Sequence, residues 1–187
     1  VEQMYVKIEK LTESVWRKEI PVKKWSFFFQ AEDGIRDDAA RSDSRIRRAT
    51  VKEHTFTEDD VREIRKIGDD QIIDDYISEI NDPALFHEFI TASKENNRYG
   101  ASVVVYPIEE YAKMRLFVTK DGKAGGALKP DGELVSAFSF GEGKGRLMQI
   151  QYLRIKEGGT MNDCFNTVLP IYYAKNGFEP VAKVRWS

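Results

Sequence analysis

The chain has 187 residues, 41% of them hydrophobic and 32% charged, with 29 Lys+Arg against 31 Asp+Glu and a formal net charge of −2. That is the composition of one ordinary domain with a real core plus an arm; it lacks the basicity of a nucleic-acid binder and any run of about 20 apolar residues able to span a bilayer. The single cysteine, Cys164, excludes an internal disulfide and fits a reducing, cytoplasmic setting, and two histidines far apart, His54 and His87, leave little from which to build a zinc site or a His-based triad.

In chain order, residues 1–26 hint at short strands around Tyr5–Ile8 and Ile20–Trp25, with Pro21 and the lysines marking them as edge-like or unpacked. The chain begins at Val1 rather than Met, as a fragment would, and no charge-then-apolar signal pattern follows. Phe27–Asp37, FFFQAEDGIRD, matches neither a helical nor a strand period. It resembles the in-frame translation of a T-run joined to a sequencing-library adapter, which implies an artificial arm; the other reading is a loop with an exposed aromatic patch. The polar DDAARSDSRIRR reads as linker, so residues 1–46 are expected to form a poorly ordered N-terminal arm and 47–187 the folded domain.

From Ala49, ATVKEHTF alternates as a strand. Thr57 followed by Glu58, Asp59 and Asp60 reads as a helix start, with Val61, Ile64, Ile72, Tyr76 and Ile80 at helical spacing and a break at Gly68. Asp82-Pro83 opens a second helix that turns Leu85, Phe86, Phe89 and Ile90 inward. The excess of acids between Glu58 and Asp82 reads as a solvated helix face rather than a seat for cationic substrates. SVVVYP is expected to be a strand and IEEYAKM a short helix or turn. Asp121-Gly122 and Asp131-Gly132 then divide three runs into an antiparallel meander. RLMQIQYLRIKEGG is a helix stopped by glycines, TMNDCFN a strand, LPIYYAKNG a helix and FEPVAKVRW a last strand. The expected order from residue 49 is β-α-α-β-β-β-β-α-β-α-β, an α/β sheet protein.

The stretch richest in chemistry is Phe138–Met148, FSFGEGKGRLM, a strand running into a glycine-dense turn that opens a helix. Gly141, Gly143 and Gly145 permit close backbone approach to a ligand. The helix start offers free N–H groups to an anion, and Lys144 and Arg146 add charge, so a diphosphate-bearing cofactor is expected. A Walker loop needs Ser or Thr after its lysine, where Gly145 stands, and a dinucleotide loop belongs on the first strand of a parallel βαβ unit. The spacing of Gly143 and Gly145 instead resembles the pyrophosphate loop of the GNAT-type N-acetyltransferases, with Phe140 in place of their Arg or Gln. Tyr173-Ala-Lys-Asn-Gly177-Phe178 resembles that family's C-terminal signature. A looser likeness, through KDGKAGGALKPDGELVSAF, is to small GNAT-like proteins of phage and environmental sequence, whose function is generally unassigned.

The resemblance covers roughly residues 114–187 at the level of motifs. It implies a mixed, mostly antiparallel sheet flanked by helices, in which the strands around the glycine loop splay to admit the pantetheine arm of acetyl-CoA. It implies cofactor contacts from Phe138, Ser139, Phe140, Gly141, Gly143, Lys144, Gly145 and Arg146. It also implies that Tyr173, with Tyr172 as the neighbour able to replace it, is the general acid for the thiolate. Glu133 and Glu142 are the candidates for a base and are equally readable as surface carboxylates; Asp163 faces the opening or the core according to register, and Cys164 reads as a small buried residue. The implied function is acyl transfer to an amine on a small molecule or protein, with no nucleic acid or membrane partner and with C-terminal apolar strands that would permit a homodimer. The alternative is a GNAT-like binding module without catalysis, an accessory protein of phage or mobile elements.

Overall fold

The computed structural model describes residues 4–10, 44–67, 73–96, 103–139, 146–165 and 169–185. The expected strand at Ile20–Trp25, the FFFQAEDGIRD run and the turn from Phe140 to Gly145 lie outside them.

A run of six residues, 44–49, forms helix α1. It buries Ile46 and Ala49, three apart on one face, against the core. The expected boundary near Arg47 therefore falls inside a packed helix, because two small apolar positions suffice to dock a single turn. Strand β2 (Thr50–Thr55) follows, then α2 (Glu58–Ile67) and β3 (Tyr76–Ile80). The helical spacing read through Tyr76 and Ile80 is overturned here. Tyr76–Ile80 pairs with β2 on one side and with Arg115–Val118 on the other, and Ile77 and Ile80 enter different core clusters. A strand buried on both faces shows no alternation, and apolar residues four apart mimic a helix.

Helix α3 (Pro83–Glu95) starts as the sequence indicates: the Asp82 side chain accepts from Leu85 N at 2.9 Å, with Pro83 at the first position. The described part of SVVVYP is not a strand. Residues 103–107 run into α4 (Ile108–Tyr111) without a ladder partner, and Tyr106 N donates to the Tyr111 hydroxyl at 3.1 Å. Pro107, with no N–H, cannot extend a ladder. The meander of β4 (Arg115–Val118), β5 (Ala124–Leu128) and β6 (Glu133–Ser139) forms as expected, with Gly122 and Gly132 at positive φ in its two turns. Then come α5 (Arg146–Lys156), β7 (Met161–Phe165), α6 (Leu169–Lys175) and β8 (Phe178–Arg185).

The largest departure is at the other end. Met4–Lys10 is strand β1, and it is not an edge strand: the sheet runs β2-β3-β4-β5-β6-β7-β1-β8. β1 pairs antiparallel with β7 and with β8, so the N-terminal segment joins the last strand to the rest. All neighbours are antiparallel except β6 and β7. The protein is thus α/β, with a mixed, mostly antiparallel sheet between two cores. One, under α1, α3 and α4, holds Leu85, Phe86, Phe89, Ile90, Tyr111 and Phe138; the other, under α5 and α6, holds Ile77, Phe117, Leu134, Ile150, Tyr173 and Phe178.

Asp60 joins α2 to α5. Its Oδ2 accepts from Thr57 N at 2.8 Å while Thr57 Oγ1 accepts from Asp60 N at 3.2 Å, a reciprocal helix cap. Its Oδ1 accepts from Tyr152 Oη at 2.7 Å and Lys156 Nζ at 2.9 Å. Burial opposes the charge, but the bonds from Lys156, Thr57 and Tyr152 outweigh it and hold the carboxyl well below the usual carboxylate range. Asp60→Asn is expected to cost about 2 kcal/mol, the worth of a charged hydrogen bond in such a place. Because the folded-state pKa is depressed, this contribution is full above the unfolded value of about 4 and is lost as pH falls below it. Urea midpoints at pH 6 and pH 3 check this: the gap between wild type and variant should narrow in acid.

Candidate functional site

The site grows from a defect in β6. Val135 pairs with Ala127 and Phe138 with Gly125, so Ser136 and Ala137 together oppose Gly126, a β-bulge. The extra residue turns Val135 and Phe138, three apart, toward the same core cluster. Ser136 takes φ +53°, a value few non-glycine residues adopt, and its hydroxyl meets Tyr111 Oη at 2.8 Å.

Beside the bulge, β6 and β7 run parallel but share only two register pairs, Glu133↔Met161 and Leu134↔Asn162. β6 continues to Ser139 and β7 to Phe165 without further pairing between them, so the strands part from Val135 onward. Helix α5 runs from Arg146 to Lys156, and just after it Thr160 N donates to Gly132 O at 2.9 Å beside the start of β6. The first residue of α5, Arg146, lies against the β4–β5 turn, bonded to Asp121.

Tyr173, on α6, packs on Phe178 with ring centroids 6.2 Å apart, in the same cluster as Leu134 and Cys164. Burial pushes its hydroxyl up, and the Asn162 amide and the Arg154 charge pull it only part of the way back. Asn162 holds the last position of β7 paired with β6, so Tyr173 sits where those two strands begin to part. Phe138 is buried against Phe86, and Ser139, paired with Ala124, ends β6. Cys164 is buried, and desolvation with the nearby Asp163 pushes its thiol up to about 12, which removes thiolate chemistry at neutral pH.

Two predicted residues stand apart from this group. Glu133 lies at the paired end of β6 beside Leu134, facing the opposite side of the strand, and accepts from Lys129 Nζ at 2.6 Å. Arg146 is bonded to Asp121 and lies 3.8 Å from Asp74 Oδ2, so its charge is engaged inside the first turn of α5. Burial pushes Asp74 up by more than Arg146 lowers it. Phe140, Gly141, Glu142, Gly143, Lys144 and Gly145 lie outside the described residues, as does the Tyr172 side chain.

Neither histidine joins the cleft. His54 Nε2 donates to Glu79 at 2.8 Å and Nδ1 lies 3.3 Å from Glu157, with Arg115 bridging both carboxylates at the far end of α5. His87 packs near Tyr111 on the other face of the sheet. Among the described residues no group of His, Cys, Asp and Glu is placed to hold a metal ion, and no helix is long and apolar enough to cross a membrane. Arg154, Ser136 and Tyr111 are site residues that the sequence did not single out. The one signal for Arg154 was Gly125-Gly126 inside a strand, where missing side chains imply something large in their place.

None of the protein-family models, characterised proteins or solved structures compared with the chain matches it.

Proposed function

We propose that the chain is an acetyl-CoA-dependent N-acyltransferase in which an amine attacks the thioester directly in a ternary complex. The observation that carries this reading is the parting of the parallel strands β6 and β7 after two register pairs, with α5 the next described element after β6. Strand edges that separate leave backbone N–H and C=O groups in want of partners, and the amides of a pantetheine arm are partners of the right spacing and polarity. The helix start and the turn before it would seat the pyrophosphate. A backbone N–H of Phe138–Phe140 would polarise the thioester carbonyl.

The C–N bond forms as the C–S bond breaks, and the thiolate takes a proton from the Tyr173 hydroxyl. Burial keeps that hydroxyl protonated until a thiolate is beside it. The amine sheds its proton to a base or to water. The acceptor is an amine on a small molecule or a protein, and the lone buried thiol of Cys164 suits a reducing cytoplasm. The reading of a GNAT-like binding module without catalysis is favoured by Glu133, whose carboxylate is bonded to Lys129 and faces away from Tyr173.

Thermal unfolding of the full chain with and without CoA tests the cofactor. At about 100 times its dissociation constant a ligand adds about 2.7 kcal/mol, or roughly 5–10 °C for a domain of this size. No shift in a cooperatively folded chain sinks the proposal. With a shift in hand, Tyr173→Phe is expected to lower kcat about 100-fold while leaving CoA affinity unchanged; full CoA binding with no acyl transfer to any amine by wild type would favour the binding module.

A further inference from the structure

Arg154 lies in the fold where an arginine is unusual: its side chain is fully buried between α5 and the sheet. Its Nη1 donates to Ala127 O and Val135 O, both at 2.9 Å, and its Nη2 to Gln151 Oε1 at 2.6 Å. Ala127 and Val135 are opposite each other, the last register pair before the bulge, so one guanidinium nitrogen gathers both carbonyls of that pair. The guanidinium occupies the space a side chain at position 126 would fill: a Cβ on Gly126 would lie 2.6 Å from Arg154 Cζ. From the other face of the sheet, Tyr111 holds the hydroxyl of Ser136, the bulge residue at positive φ, and itself accepts from Tyr106 N.

The bulge is therefore gripped from both faces at the point where β6 leaves β7. A bulge frees backbone groups from the ladder, and buried carbonyls without donors are costly; a residue at positive φ persists only where its surroundings over-determine it. Lysine would supply a single ammonium where the guanidinium supplies a planar fork, and only the fork reaches two carbonyls and Gln151 together.

We propose that Arg154 is the positioning residue of the cleft: seated in the space left by Gly126, it fixes the β6 bulge and so presets the stretch Ala137–Ser139 against which the acyl-CoA thioester is laid. This rests on the acyltransferase reading. Arg154 acts through the strand and touches no reacting atom. Its charge also offsets a part of the effect of burial on the Tyr173 hydroxyl.

The test uses the full chain with Arg154→Met, Arg154→Lys and Gly126→Ala, the last of which displaces the guanidinium while leaving the arginine in place and serves if Arg154→Met does not fold. Two quantities are read: amide hydrogen exchange in the ligand-free protein, and the dissociation constant for CoA by calorimetry. For Arg154→Met or Gly126→Ala, exchange at Ala137–Ser139 should rise at least about 10-fold relative to the amides of β3 and β4, and CoA affinity should fall by a similar factor. Arg154→Lys should recover part of each loss. Unchanged exchange at Ala137–Ser139, or unchanged CoA affinity in a folded variant, overturns the proposal while leaving the acyltransferase reading intact. Absence of CoA binding by wild type removes that reading, and the proposal with it.

Discussion

Removing the first 43 residues is expected to unfold the C-terminal half of the sheet. β1 makes five register pairs with β7 and seven with β8, and among the described strands β8 has no other neighbour. That is on the order of ten ladder hydrogen bonds at about 0.5–1.5 kcal/mol each, a loss comparable with the whole stability of an ordinary domain. A chain beginning at Ser44 should therefore show a much lower urea midpoint, and fast amide exchange in β7, α6 and β8 even where the β2–β6 half stays protected. A peptide of residues 1–12 added in excess should restore part of that protection. An unchanged urea midpoint would mean that β1 contributes nothing to the sheet.

The second large effect concerns Gly125. A Cβ there would lie 2.6 Å from the Phe117 carbonyl oxygen and 2.7 Å from the Phe138 ring. The first of these is backbone of β4, pinned by the pairing of Phe117 and Val118 with Gly126 and Gly125. It cannot yield without opening the β4–β5 ladder. Gly125→Ala is expected to cost about 3 kcal/mol, the upper range for overpacking, which lowers Tm by about 6–12 °C in a chain of this size. Gly158→Ala is the comparison. Its Cβ would meet nothing within 4 Å, though φ is +111°, so only backbone strain of about 1–2 kcal/mol opposes it. Paired thermal melts decide: an equal or smaller loss at Gly125 would contradict the packing described for β4 and β6.

What the sequence made legible was local. Asp121-Gly122 and Asp131-Gly132 announced the meander because hairpin turns are specified by their own residues, and Asp82-Pro83 announced α3 because a cap is a contact over three positions. β3 was hidden because a strand buried on both faces carries no period, and SVVVYP misled because an apolar run records burial, not pairing. The place of β1 depends on partners more than 150 residues away, which no local pattern encodes. At the site, the strand entering the glycine run could be read from its own residues, whereas Tyr173 was singled out only by a family resemblance. Arg154 could not, because a buried arginine looks like a surface one until the glycine opposite it is known.

The position of β1 also sets a schedule for the protein's making. β1 ends at Lys10 and the first strand it pairs with begins at Met161. At ribosomal rates of about 5–20 residues per second, roughly 8–30 s pass between the synthesis of the strand and that of its first partner. Throughout that interval both edges of β1 are open to any other strand, including one on a neighbouring nascent chain. Yield in the cell should therefore depend on elongation speed and on holdase chaperones more than the finished protein's stability would suggest.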